Sequence, residues 1–188
     1  MGTHHLILGQ TIDYLTGQSV TDTHDERARQ EIAKFLVTEK GFEKSEIHSR
    51  LRLPLELDGQ KGTVRVDFLL KPAGKPLMII LFRPGSLVSR RRIALAAARL
   101  LEDRIIPYAA VTNAEDAEIL ETSSGKLISS GLQGIFSRSG AMQQLEGMDF
   151  AALADNRREK EKRILFAMEV LSQKECDDYT CDDFKKQS

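Results

Sequence analysis

Three runs in succession decide the fold of this chain: Ile47–Leu57 (IHSRLRLPLEL), Thr63–Leu70 (TVRVDFLL) and Pro76–Phe82 (PLMIILF). The first alternates Leu51, Leu53, Leu55 and Leu57 with other residues, the period-2 pattern of a half-buried strand. Asp58-Gly59 begins a turn, and the second run alternates Val64, Val66 and Phe68. Pro72 to Lys75 makes the next turn. The third run is nearly continuous in apolar residues, as a central strand covered on both faces requires, and Pro84-Gly85 ends it.

Upstream of these runs, Thr23-His24-Asp25-Glu26 predicts a helix start, with the Thr23 hydroxyl capping a backbone N–H and Glu26 reaching back in a capping box. The helix runs to about Lys40 and stops at Gly41. Its apolar stripe is Ala28, Ile32, Phe35 and Leu36, and Glu31 lies on the edge of that stripe, where its carboxylate is expected to border the core. Downstream, residues 87–103 predict a second helix, and Ile105–Thr112 another buried strand. Residues 117–121 and 126–128 read as a short hairpin, and Ser137 or Ser139 caps a short helix through Leu145. A charged helix opens at Asp155 or Asn156 and runs to about Lys174, with Ile164, Leu165, Met168 and Leu171 on one face. Two hairpin links followed by a strand–helix–strand crossover give a mixed central sheet flanked by helices, an α/β (α+β) architecture. The expected organisation is a domain over residues 1–150, an amphipathic C-terminal helix over 151–175 and an acidic tail over 176–188.

Composition narrows the function classes. With 188 residues, 41% hydrophobic and 29% charged, the chain holds enough apolar material for one sizeable core. A net charge of −1 rules out a global basic field, so a nucleic-acid role has to rest on a local cluster. No apolar run approaches the roughly 20 residues that span a bilayer, and no membrane partner is expected. Met1 to Gly9 carries Leu6, Ile7 and Leu8 but neither a charged leader nor a cleavage site. Cys176 and Cys181 sit together in the acidic tail, too close to staple the body, which predicts a reducing, cytoplasmic compartment. Their spacing lacks the second ligand pair of a structural zinc site. Neither a catalytic triad nor a glycine-rich phosphate loop is present in the sequence.

The local cluster is Ser89-Arg90-Arg91-Arg92. Three arginines in the first turns of a helix oppose its dipole, at about 0.3–1 kcal/mol each when exposed. Two readings follow: a plain solvated surface, or an anion site in which helix N–H groups and Arg90, Arg91 and Arg92 hold phosphate together.

The element order resembles the nuclease core of many restriction and repair enzymes, the PD-(D/E)XK fold. More narrowly, Asp13 to Asn113 resembles the N-terminal domain of type I restriction enzyme R subunits. The carrying residues are Asp13-Tyr14-Leu15-Thr16-Gly17, Glu26-Arg27-Ala28-Arg29-Gln30-Glu31-Ile32, Val64-Arg65-Val66-Asp67-Phe68, Pro76-Leu77-Met78-Ile79-Ile80 and Val111-Thr112-Asn113. The resemblance implies a divalent metal, Mg²⁺, held by a helix glutamate and a strand aspartate, which match Glu31 and Asp67. It also implies a Glu-x-Lys on the third strand, and here the pattern falls on Leu81-Phe82-Arg83. Leu81 brings no side-chain oxygen, so Mg²⁺ binding is expected to be weak or absent. Arg83 retains a positive charge for a phosphate but is a poor general base.

The expectation is therefore a nuclease-fold domain that contacts DNA through Arg83 and Arg90–Arg92 while its cleavage site, Glu31, Asp67 and Arg83, is impaired. An alternative is a Mg²⁺-dependent endonuclease whose missing carboxylate comes from Glu56 or Glu115. A third reading is a partner-binding module whose C-terminal helix forms a homodimer or engages a restriction-system partner.

Overall fold

The structure is a computed structural model and describes residues 7–170. A polar hairpin, β1 (Gly9–Ile12) and β2 (Ser19–Asp22), leads into helix α1 (His24–Thr38). Strands β3 (Ile47–Leu57), β4 (Gln60–Leu70) and β5 (Met78–Phe82) follow, then α2 (Arg91–Leu100) and β6 (Tyr108–Thr112). Strands β7 (Ala117–Glu121) and β8 (Leu127–Ser130), helix α3 (Arg138–Leu145) and helix α4 (Asp155–Leu165) complete the order. A π-helical turn, Phe166–Val170, continues α4.

Strands β3 to β8 form one mixed sheet in chain order. Neighbours are antiparallel except β5 and β6, which run parallel because α2 carries the chain across between them. The expected mixed sheet with helices on both sides is what the chain adopts. Helices α1 and α3 cover one face through Ile32, Leu36, Ala141 and Leu145, over Phe68, Leu70, Met78, Ile80 and Phe82. Helices α2 and α4 cover the other through Ile93, Ala97, Leu165 and Phe166, over Leu69, Ile79, Leu81 and Val111. Strand β5 is buried on both faces, as its apolar run predicts.

The long hairpin β3–β4 does not keep one phase. Val64 and Val66 face α2 and α4, whereas Phe68 and Leu70, of the same parity, face α1. The alternation read over Val64, Val66 and Phe68 therefore breaks at Asp67. Opposite it, Arg50 takes a left-handed backbone with φ of 57°, and the pairing skips from Ser49↔Phe68 to Leu51↔Val66. A non-glycine residue there costs on the order of 1–2 kcal/mol, so its surroundings must hold it in place. The outer half of the hairpin swings away from β5, whose pairing with β4 stops at Phe68↔Ile80. That leaves a notch between β4 and β5 with Asp67 at its apex.

Several boundaries differ from the sequence reading. Helix α2 begins at Arg91 after a 3₁₀ turn at Val88–Arg90 and has no side-chain cap; the Ser89 hydroxyl donates instead to the Ser86 carbonyl. Thr23 does cap α1, accepting from the Glu26 N–H at 3.1 Å, but the Glu26 carboxylate turns elsewhere and no box closes. Ser137 caps α3 as expected. Leu171, Lys174, Cys176 and Cys181 lie outside the described residues.

The charged run opening α4 is not wholly solvated. Glu161 is fully buried and accepts from Arg99 of α2 at 2.9 Å and from Arg157 at 2.6 Å. Arg99 also donates from Nε and Nη2 to the Thr122 carbonyl. This network and the apolar side of α4 fold the helix back onto the core, where Val170 lies over Gly62 of β4. A Cβ at residue 62 would come 2.5 Å from Val170 Cγ1, so the close approach depends on glycine.

Candidate functional site: the charge network at Asp67

Asp67 is buried in the notch with both carboxylate oxygens occupied. Oδ1 accepts from Arg29 Nε of α1 at 2.7 Å. Oδ2 accepts from the Phe82 N–H at 2.9 Å and from Arg83 Nη1 at 3.0 Å. Arg65 Nε is 3.7 Å from Oδ1, an ion pair beyond hydrogen-bond length. Asp67 thus takes the place of the missing ladder hydrogen bond between β4 and β5, and ties α1 to the sheet.

Arg83 has its own second carboxylate, supplied from the far end of the described chain. Its Nη2 and Nε donate to Glu169 on the π-helical turn at 2.8 and 3.3 Å. Burial on its own would lower the Arg83 pKa. The carboxylates of Asp67 and Glu169 outweigh that and raise it above the ordinary arginine value.

A second cluster adjoins the first through α1. Asp13 closes the β1–β2 connection as an Asx turn, its Oδ1 accepting from the Leu15 and Thr16 N–H groups at 3.0 and 2.9 Å. Its Oδ2 accepts from Arg50 at 2.9 Å and Gln30 at 3.2 Å. Arg50 also donates to the Glu26 carboxylate, which accepts from Gln30 at 2.7 Å. Burial would raise the Asp13 pKa, but the Thr16 N–H, Arg50, Gln30 and the Thr16 hydroxyl together hold it at about 2. These partners explain why Arg50 keeps its left-handed backbone. Arg29 joins the clusters, 3.8 Å from Glu26 as well as bonded to Asp67. A small cavity lined by Asp13, Arg29, Gln30, Arg50 and Asp67 lies between them.

Of the residues singled out in the sequence, Asp67 and Arg83 come together and Glu31 does not join them. The Glu31 side chain is 68% exposed and pairs with Lys34 at 2.7 Å, so it faces water and does not border the core. The α1 carboxylate that turns inward is Glu26, five residues earlier. Arg90 to Arg92 stand apart, at the start of α2. Arg91 is engaged there by Glu118 of β7, with Nε 2.6 Å from Oε2, while Arg92 is exposed. Leu81 is fully buried beneath α2, and Glu56 and Glu115 are both exposed, with neither among the partners of Asp67.

The donor set does not fit a divalent cation. Such an ion needs oxygen lone pairs free to turn toward it. Those of Asp67 are directed at cationic donors, and Arg29, Arg65 and Arg83 all stand within 4 Å of its oxygens. Among the described residues no group of three or more His, Cys, Asp or Glu is placed to hold a metal. Nor is any described helix long and apolar enough to cross a membrane.

Sequence reasoning missed Glu26, Arg29, Gln30 and Arg50. The signal was available in the spacing: residues 26, 29, 30 and 33 share one helix face. Arg50 also precedes the leucine alternation, at a position the apolar pattern does not explain.

Comparison with known proteins agrees with this architecture. The family model described as type I restriction enzyme R protein N terminus matches residues 24–135. No curated protein sequence matches the chain. A solved fragment described as an HsdR subunit of a type I restriction enzyme from Vibrio vulnificus YJ016 superposes with a TM-score of 0.52 at 17% identity. The match covers 66% of this chain and 25% of that one, so the likeness is one of fold over about a quarter of its length.

Proposed function

The chain belongs to the family of type I restriction enzyme R protein N termini, and from that premise we propose that it is a nuclease-fold module of a restriction system that holds DNA without efficient metal-dependent cleavage. One observation carries the proposal: both oxygens of Asp67 are taken by Arg29, Arg83 and the Phe82 N–H. A carboxylate so engaged supports packing, and freeing it for a metal would take from two largely buried arginines a carboxylate that both share, leaving Arg83 with Glu169 and Arg29 with the more distant Glu26. With Arg83 held by Asp67 and Glu169, and Arg91 by Glu118, the phosphate contacts at the start of α2 fall chiefly to Arg90 and Arg92.

The experiment is calorimetric titration of Mg²⁺ and Mn²⁺ into the protein, with and without duplex DNA, beside a cleavage assay. The expected result is no saturable metal heat, no cleavage, and duplex binding that weakens steeply with salt as counterions are released. Metal-dependent cleavage that disappears in a folded Asp67→Asn variant would restore the endonuclease reading. Absence of both metal and duplex binding would leave the module with a protein partner alone.

A further inference from the structure

The outer face of the β3–β4 hairpin carries two arginines, of which Arg65 only fringes the Asp67 network, 3.7 Å from its Oδ1 and without a hydrogen bond to it. Arg52 and Arg65 are direct cross-strand partners, on the face opposite Leu53, Leu55, Val64 and Val66. Like charges directly opposite each other in an antiparallel pair repel. Arg65 is crowded further by the positive fields of Arg29 and Arg50, which, after burial itself, press its pKa down against the pull of Asp67 and Glu26. Arg65 is also the cation of this region with orphaned donors: its Nε and Nη2 are shut off from solvent and find no acceptor. Yet 42% of its side chain is exposed, and Arg52 beside it is exposed as well. Buried guanidinium donors without partners are rare in folded proteins and mark a place where an acceptor is missing.

We propose that Arg65 and Arg52 form an oxyanion site on the outer face of the β3–β4 hairpin, which takes a phosphate group of a nucleic-acid backbone. A modest outward turn of the Arg65 side chain converts its two orphaned donors into the planar fork that matches phosphate oxygens. The incoming negative charge offsets the positive fields of Arg29 and Arg50 on Arg65. Nothing is transferred in this step; the ligand is bound and released. The site rests on the nucleic-acid reading above for its ligand, but not for its existence, since free phosphate offers the same oxygens. It adds a contact on the sheet hairpin, separate from Arg90 in the 3₁₀ turn and Arg92 on α2.

The test pairs two ligands with the wild-type protein and with Arg52→Gln, a substitution at an exposed position that leaves the Asp67 network intact. Inorganic phosphate is titrated while the arginine Nε–Hε resonances are followed by NMR. A labelled DNA duplex is titrated by fluorescence anisotropy at several salt concentrations. The expected result is a saturable shift of the Arg65 Nε–Hε signal with phosphate, weakened several-fold in Arg52→Gln. For the duplex, the salt slope should fall by about one for each lost phosphate contact. If phosphate moves the Arg65 signal but the duplex does not bind either protein, the oxyanion site stands and the nucleic-acid reading fails. If phosphate leaves Arg65 unmoved and the duplex binds both proteins with equal salt slopes, the oxyanion site is overturned, while the α2 contacts survive.

Discussion

Replacing Asp67 with asparagine separates a structural carboxylate from a metal ligand through stability alone. Asparagine keeps the shape of the side chain but accepts hydrogen bonds at only one of its two branches. Whichever way it turns, its amide nitrogen points a donor either at Arg29 Nε or at the Phe82 N–H and Arg83 Nη1. The negative charge is lost as well, and the side chains of Arg29 and Arg83 are each only 14% exposed. Breaking a buried ion pair by removing one partner costs about 3–5 kcal/mol. For a chain of this length each kcal/mol moves the midpoint by about 2–4 °C, so the melting temperature should fall by about 6–20 °C. Differential scanning calorimetry measures the shift, and urea unfolding with an unchanged m-value checks that the folded state is otherwise the same. A ligand carboxylate held ready for a metal is a source of strain, and neutralising it leaves stability level or raises it. An Asp67→Asn protein that melts at or above the wild-type temperature would therefore refute the structural account of the network.

Other consequences are as direct. The Asp13 pKa is about 2 in the folded chain against an ordinary 3.8. A depressed pKa adds stability that is complete above about pH 4 and is lost as pH falls toward 2, about 2 kcal/mol at most. Melting temperatures taken between pH 5 and 2.5 should show this loss, and Asp13→Asn should flatten it. Gly62→Ala drives a Cβ into Val170 and should destabilise the fold by about 1–3 kcal/mol. Val170→Ala in the same chain should recover part of that, read by chemical denaturation. Glu161→Ala strands the buried Arg99 and should cost about 3–5 kcal/mol. Arg157→Ala, at a side chain 46% exposed, should cost under about 1 kcal/mol in the same assay.

What the sequence made legible followed periodic apolar patterns. Strand β3 matches its predicted bounds because four leucines alternate over a long run, and β5 was legible because both of its faces are buried, although it begins at Met78, two residues after the predicted start. The same reasoning chose Glu31 over Glu26, since an apolar stripe says where a helix is dry but not which polar residues are buried beside it. Glu26 and Gln30 are buried because Arg50 and Asp13, from distant parts of the chain, meet them there. The phase break at Asp67 was hidden for a related reason. Val64, Val66 and Phe68 keep strict alternation in sequence, and only the turned backbone at Arg50 sends them to opposite faces. Glu169 lies 86 residues from Arg83, a separation no local motif spans.

The return of α4 to the hairpin also bears on how the chain is made. Leu53, Leu55, Val64 and Val66 are packed by Leu165, Phe166 and Val170, which are synthesised about a hundred residues later. While the ribosome is still translating that interval, the β3–β4 hairpin can pair its strands but lacks the part of its apolar cover that α4 and the turn after it supply. The nascent chain therefore carries a sticky sheet face until its last described turn emerges. Slowed elongation between residues 70 and 165 would lengthen that exposure and favour chaperone capture or aggregation, without altering a single contact of the finished protein.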